Sequence, residues 1–172
     1  MVRSLLVILV PLVLITWFFS SNPGDHPVTA VDWRPALTQA RAEAPYEVLA
    51  PTNLPEGWVP TRVSWIREGQ TGAGGGSSLG NDWTIGYLSP DEVYFGLRQS
   101  DAEPARVIAD VSRKGKRDGA SQLGSTRWER YVSPDDRTRS LVLRASGVTT
   151  VVVADAPYAA LDAFAATLRA DG

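Results

Sequence analysis

Cysteine is absent from the 172 residues, histidine occurs only at His26, and lysine only at Lys114 and Lys116. The first absence removes disulfides, thiolate catalysis, cysteine-ligated zinc and a lipid-modified N-terminal cysteine. The second removes a histidine metal cluster and leaves no histidine downstream of position 26 to act as a general base. An excess of positive charge is missing too. Seventeen basic residues against nineteen acidic ones give a net charge of -2 and a pI near 5.4, which is not the footprint of a nucleic-acid-binding surface. No nucleic-acid partner, metal or cofactor is therefore expected.

What is present begins with "MVRSLLVILVPLVLITWFFSS". Arg3 precedes an apolar run from Leu5 to Phe19, which contains Pro11 and ends on Trp17, Phe18 and Phe19. At ~1.5 Å per residue, a helix from Arg3 to Ser21 nearly crosses a hydrocarbon layer of about 30 Å. Aromatic residues at its far end suit a membrane interface. Phe18, Phe19, Asn22 and Pro23 spoil the nearby cleavage sites of a secretory signal, although Val28-Thr29-Ala30 has suitable chemistry further downstream. The expectation is an uncleaved anchor over residues 1–21 that meets the lipid bilayer through residues 4–20. Arg3 and the α-amino group then hold the N-terminus in the cytoplasm, with the C-terminal domain extracytoplasmic. Residues 22–31 read as a polar linker broken by proline and glycine, with His26 inside it. Residues 32–172 read as one domain, a size that 44% hydrophobic residues can support.

Within that domain Asp32 is placed to cap a helix over residues 33–44, with Pro35 in its first turn and Pro45 after its end. "YEVLAPTNLPEGW" then predicts an extended crossing with tight turns. Six segments alternate as strands do. Val63 and Trp65 mark the first, Trp83, Ile85 and Tyr87 the second, and Val93, Phe95 and Leu97 the third. Thr126, Trp128 and Val132 mark the fourth, and Leu141 and Leu143 the fifth. "VTTVVVA", Val148 to Ala154, is apolar almost throughout and so belongs in the centre, covered on both faces. "LSPDE" and "VSPDD" look like one device, a Ser-Pro-Asp hairpin turn, and Ser146-Gly147 a tighter one. Further helices are expected from Asp101 to Gly115 and, capped by Asp155, through Leu161, Phe164 and Leu168. The fold class is α+β: an antiparallel β-sheet of about six strands packed with three helices, in the order α-βββ-α-βββ-α.

Few residues advertise chemistry. Gly76-Ser77-Ser78-Leu79-Gly80, inside "GAGGGSSLG", fits the G-x-S-x-G of a hydrolase elbow. An elbow needs a strand before the serine, a helix after it and a histidine later; a strand follows Ser78 instead. A serine–lysine pair needs Lys114 or Lys116, both in the basic stretch "SRKGKRDG", which reads as a solvated loop, with contact to anionic lipid or wall polymers as the alternative. A phosphate cradle lacks its G-K-[ST] ending and its helix. The expectation is a long, entropy-rich connection in which replacing Ser78 changes nothing. The pairs Asp91/Glu92 and Asp135/Asp136 lie in wet turns and are expected to shape them. That leaves the strand aromatics. Trp58, Trp65, Trp83, Tyr94, Trp128 and Tyr131 are the candidate ligand or partner contacts, with Tyr94 and Tyr131 facing away from the main apolar residues of their strands.

The pieces "VRSLLVILVPLVLI", "VDWRPALTQA", "LAPTNLPEGW", "WTIGYLSP" with "YFGLRQS", and "VVVADAPYAALDAFAATL" together resemble a family of uncharacterised single-pass proteins of high-GC Gram-positive bacteria, catalogued as domain of unknown function 4245. The resemblance runs over essentially the whole chain. It implies a membrane-anchored extracytoplasmic domain and carries no catalytic residues. The layout is also similar in topology to the sheet-and-helix domains of PsbP and Mog1 type, which says little about function. The expected function is a non-enzymatic binding module at the cell envelope that meets an envelope protein, lipid or glycan. The alternatives are a carboxylate-dependent envelope hydrolase and a scaffold subunit of a membrane complex.

Overall fold

A computed structural model of the chain describes residues 29–72 and 75–170. The segment read as an anchor, residues 1–21, lies outside them, as does most of the linker with His26. Among the described residues no helix is long and apolar enough to cross a membrane.

The elements are helices α1 (Arg34–Glu43), α2 (Pro104–Val111) and α3 (Tyr158–Ala165), with nine strands. These are β1 (Ala50–Pro51), β2 (Val59–Ile66), β3 (Asp82–Leu88), β4 (Tyr94–Ser100), β5 (Lys116–Leu123), β6 (Thr126–Val132), β7 (Arg139–Ala145), β8 (Val148–Ala154) and β9 (Leu168–Arg169). Seven strands form one antiparallel sheet in the order β2-β3-β4-β8-β7-β6-β5, and β1 pairs with β9. The nearly all-apolar β8 is the fourth of the seven. Val152 on one face joins Leu161 and Phe164 of α3, while Val151 on the other joins Val107 and Ile108 of α2. Period-2 alternation delivers Trp83, Ile85, Phe95, Leu97 and Leu141 to the first face, where Leu37 and Ala40 of α1 also pack. Each such large side chain contributes about 1.5–3 kcal/mol on burial.

The two Ser-Pro-Asp turns do share a geometry. Glu92 and Asp136 adopt φ of 59° and 55°, and the amides of Glu92 and Asp136 each donate to the serine carbonyl at 2.9 Å. Ser146 and Gly147, both at positive φ, close β7 onto β8 as a two-residue hairpin requires.

Four expectations need correction. "KRDGASQL" is not a loop but edge strand β5, paired with β6. It was missed because a bulge between Arg117 and Ala120 and Gly119 at φ 95° break its alternation, leaving no apolar face to read. Helix α2 begins at Pro104, not Asp101, with Glu103 accepting the Arg106 amide at 2.9 Å. Asp155 does not cap α3; it accepts from Thr138 Oγ1 at 2.6 Å, and Pro157 holds its predecessor out of the helix. The glycine-rich connection is not structureless. Gly69 N donates to Ser78 O, Ser78 N donates to Gln70 O, and Thr71 bridges Ser77, so it folds back as a small hairpin.

Candidate functional site: a trough beside helix α2

Eight residues make α2 about 12 Å long, and it packs on β8 with β4 and β7 to either side. The sheet is wider than one short helix, so the same face of β3 and β2 lies beside α2 as the floor of a trough. Register places Thr84 opposite Arg98, and Gly86 opposite both Gly96 and Arg62, on this face. The wall is the side of α2 that carries Arg106 and Asp110, with Lys114 in the turn beyond its end. One end is the Ser77–Leu79 strand of the glycine hairpin. There a cavity of about 360 Å³ is lined by Ser78, Leu79, Asp82, Arg98, Arg106 and Lys114. At the other end a second cavity of about 360 Å³ is lined by Glu92, Tyr94, Val111, Arg113 and Val153.

The glycines shape the floor. A Cβ on Gly86 would stand 2.2 Å from Tyr94 Oη and 2.6 Å from its ring, and one on Gly96 would stand 3.2 Å from Tyr94 Cε1. The Tyr94 ring lies flat on this glycine surface. Partial burial raises its hydroxyl pKa, with the charge of Arg62 pulling the other way. Tyr94 (41% exposed) and Leu79 (59%) are the exposed large hydrophobics among the described residues; Leu79 lines the first cavity and Tyr94 the second.

Charge is distributed unevenly here. Arg98 Nε donates to Asp82 Oδ1 at 2.8 Å and its NH1 donates to Asp110 Oδ2. Burial pulls the guanidinium pKa down, but the hydrogen bonds and charges of Asp82 and Asp110 outweigh it, so the net shift is upward. Both convergent carboxylates are thus occupied by one arginine. Arg62, Arg106, Arg113 and Lys114 have no ion-pair partner among the described residues.

Ser78 belongs to this network. Its Oγ lies 2.6 Å from Gly80 O and 2.7 Å from Asp82 Oδ2, so its one proton serves a carbonyl or an arginine-bound carboxylate. The fold does bring Lys114 to the cavity that holds Ser78, yet the hydroxyl is aimed at Asp82. Strand β3 follows it, which is not the strand–turn–helix of an elbow. Asp135 accepts from Ser133 Oγ and the Arg137 amide, which hold its carboxyl below the ordinary range, and Asp91 and Glu92 are exposed in their turn. Glu92 does share the second cavity with another acid, Asp155, whose Oδ1 accepts from Thr138 Oγ1 at 2.6 Å.

The six candidate aromatics do not converge. Trp83 and Trp128 are buried, and Trp83 Nε1 donates to Leu49 O at 2.9 Å. Trp58 sits against Phe95 (5.0 Å) and Phe164 (5.6 Å), part of the core. Trp65, half-buried, donates from Nε1 to Glu43 Oε2 at 2.8 Å. Tyr94 and Tyr131 share the α2 face of the sheet but lie on opposite flanks of the helix; Tyr131 donates to Glu129 at 3.2 Å. Only Tyr94 reaches the trough. Of the four unpaired cations, Arg113 and Lys114 lie in the basic run read from sequence, and Arg62 and Arg106 were not singled out. Arg106 is on α2, whereas Arg113 and Lys114, at φ of 56° and 59°, belong to the turn that joins α2 to β5, so no helical spacing relates the three. Arg117, the other half of that run, pairs with Glu129 at 3.2 Å.

A further cavity, of about 840 Å³, lies on the α1 side among Tyr46, Gln99, Leu143 and Thr150. Gln99 in its wall accepts from Leu49 N at 2.7 Å and donates to Glu47 O and Thr150 Oγ1 at 3.2 Å. Its amide is fully used in holding the crossing segment.

A family model described as "Protein of unknown function (DUF4245)" matches residues 1–168. No curated protein matches the chain.

Proposed function

The chain belongs to the DUF4245 family, and from that premise we propose that it is a non-enzymatic binding module of the cell envelope. In this reading residues 1–21 tether it to the membrane of a high-GC Gram-positive bacterium, with the domain outside the cytoplasm. The trough beside α2 is its ligand surface. The observation that carries the proposal is the pairing of Leu79 and Tyr94. Exposed large apolar side chains scattered over a surface need no explanation, but these two each line a cavity beside α2 that also holds an unpaired cation, Lys114 with Leu79 and Arg113 with Tyr94, which supports a contact surface. Catalysis has no comparable support. The carboxylates that converge, Asp82 and Asp110, meet on Arg98 and not on each other.

The test is photocrosslinking in intact cells from a light-activated amino acid at position 94, read by mass spectrometry, with exposed position 127 on β6, next to the far edge strand, as reference. A discrete adduct from 94 that 127 does not give is the expected result. Identical patterns from the two positions, or no adduct from 94, would contradict it.

A further inference from the structure

Two consecutive non-glycine residues follow helix α2 in the left-handed region, Arg113 at φ 56° and Lys114 at φ 59°. Glycine adopts this conformation freely, and a β-carbon makes it costly. The turn itself does not call for charge. The Lys114 amide donates to Ala109 O, a bond that needs no side chain. What the conformation does decide is where the two side chains go. Lys114 lines the cavity at the glycine hairpin, and Arg113 lines the one at Tyr94. Strain of this kind collects at ligand sites, and here it sends a charged group into a cavity.

In the cavity at the hairpin Lys114 is joined by Arg106, and neither has an ion-pair partner among the described residues. Asp82 and Asp110 line it as well, both bound to Arg98. The two carboxylates exceed that guanidinium by one charge, so Arg106 and Lys114 leave the cavity a single positive charge in surplus. That balance suits a monoanion. A more highly charged phosphate meets the repulsion of Asp110, whose side chain is 67% exposed. Leu79, Ala102 and Ala109 add apolar contacts, and about 360 Å³ limits the occupant to a small molecule.

We infer that this cavity binds a small organic monocarboxylate with a short apolar tail, its carboxylate held by Arg106 and Lys114 and its tail against Leu79. This rests on the α2 face being the ligand surface, and it needs only the cavity at the hairpin.

The full chain, held in phosphatidylcholine nanodiscs, is titrated with hexanoate, with hexanamide and inorganic phosphate as references and protein-free nanodiscs as the blank. Calorimetry is expected to show hexanoate binding with a dissociation constant on the order of 0.1–1 mM. Hexanamide and phosphate should each bind at least about tenfold more weakly, the worth of one charge-assisted hydrogen bond. Lys114→Gly and Arg113→Gly relieve the same backbone strain, so both should melt no lower than the parent chain. Only Lys114→Gly should lose affinity, by at least about tenfold, because Arg113 does not line this cavity. Arg106→Gln should lose a similar factor with melting unchanged. A Lys114→Gly chain that keeps its affinity would overturn the inference, and so would one that melts well below the parent, which would make Lys114 a structural residue. Phosphate or hexanamide binding as tightly as hexanoate would overturn it in favour of a general anion site or an apolar one. No hexanoate binding, with crosslinks from position 94 retained in cells, would overturn the monocarboxylate and leave the binding module standing.

Discussion

Gly76 and Gly80 sit four residues apart in one hairpin and answer to different constraints. A Cβ on Gly76 meets nothing within 4 Å, whereas one on Gly80 would stand 2.6 Å from both Ala102 N and Asp101 Oδ1. Backbone cannot step aside as a flexible side chain can. Gly80→Ala should therefore cost about 1–3 kcal/mol by overpacking, and Gly76→Ala less than about 0.5 kcal/mol; urea unfolding of the two variants measures both. The contrast shows where residue-level reading stops. The G-x-S-x-G pattern lacks the context of an elbow, because strand β3 and not a helix follows Ser78 and no histidine lies downstream. What it conceals is contact with a segment far along the chain, Asp101–Ala102, and the hydrogen bond from Ser78 to Asp82. Ser78 is thus a structural side chain, not the bystander its loop composition implied. Trp83 and Trp128, legible as strand aromatics, are core; Tyr94 stands out only once Gly86 and Gly96 are seen beneath its ring.

At the scale of elements, the strands that alternate were readable and the one that does not was missed. β3, β4 and β8 bury one or both faces and carry the periodicity to show it. β5 is an exposed edge with a bulge, so its pairing with β6 is set by the Gly124 turn and the ladder, not by an apolar pattern. Helix starts shifted for a related local reason: Pro104 and Pro157 exclude the residue before them from the helix, and that outweighs a nearby aspartate. The crossing between α1 and β2 was legible as extended from its prolines, but its anchor was not. Gln99, buried on β4, satisfies Leu49 N, Glu47 O and Thr150 Oγ1 together. Replacing it with leucine keeps the volume and orphans those groups, so Gln99→Leu should destabilise by about 2–4 kcal/mol in urea unfolding. A loss below about 0.5 kcal/mol would show that the crossing is held by its apolar contacts alone.

Over the whole molecule, one short helix on a seven-stranded sheet leaves a strip of floor beside it, and unpaired cations and exposed apolar side chains collect there. That coincidence was invisible in the sequence, because Arg62, Leu79, Tyr94, Arg106 and Arg113 come from five separate stretches that only the sheet order brings together. The absence of cysteine supplies the means to test it, since any introduced thiol is unique. Leu79→Cys places a thiol at the mouth of the cavity that holds Ser78, and Arg127→Cys places one at an exposed position of β6, distant in strand order. A membrane-impermeant maleimide is added to intact cells and, separately, to the extracted and washed protein. Cys at 127 should label at similar rates in both, and Cys at 79 should be protected in cells and label freely after washing. Equal labelling of the two positions in intact cells would contradict an occupied trough, and no labelling of either before lysis would contradict a domain outside the cytoplasm.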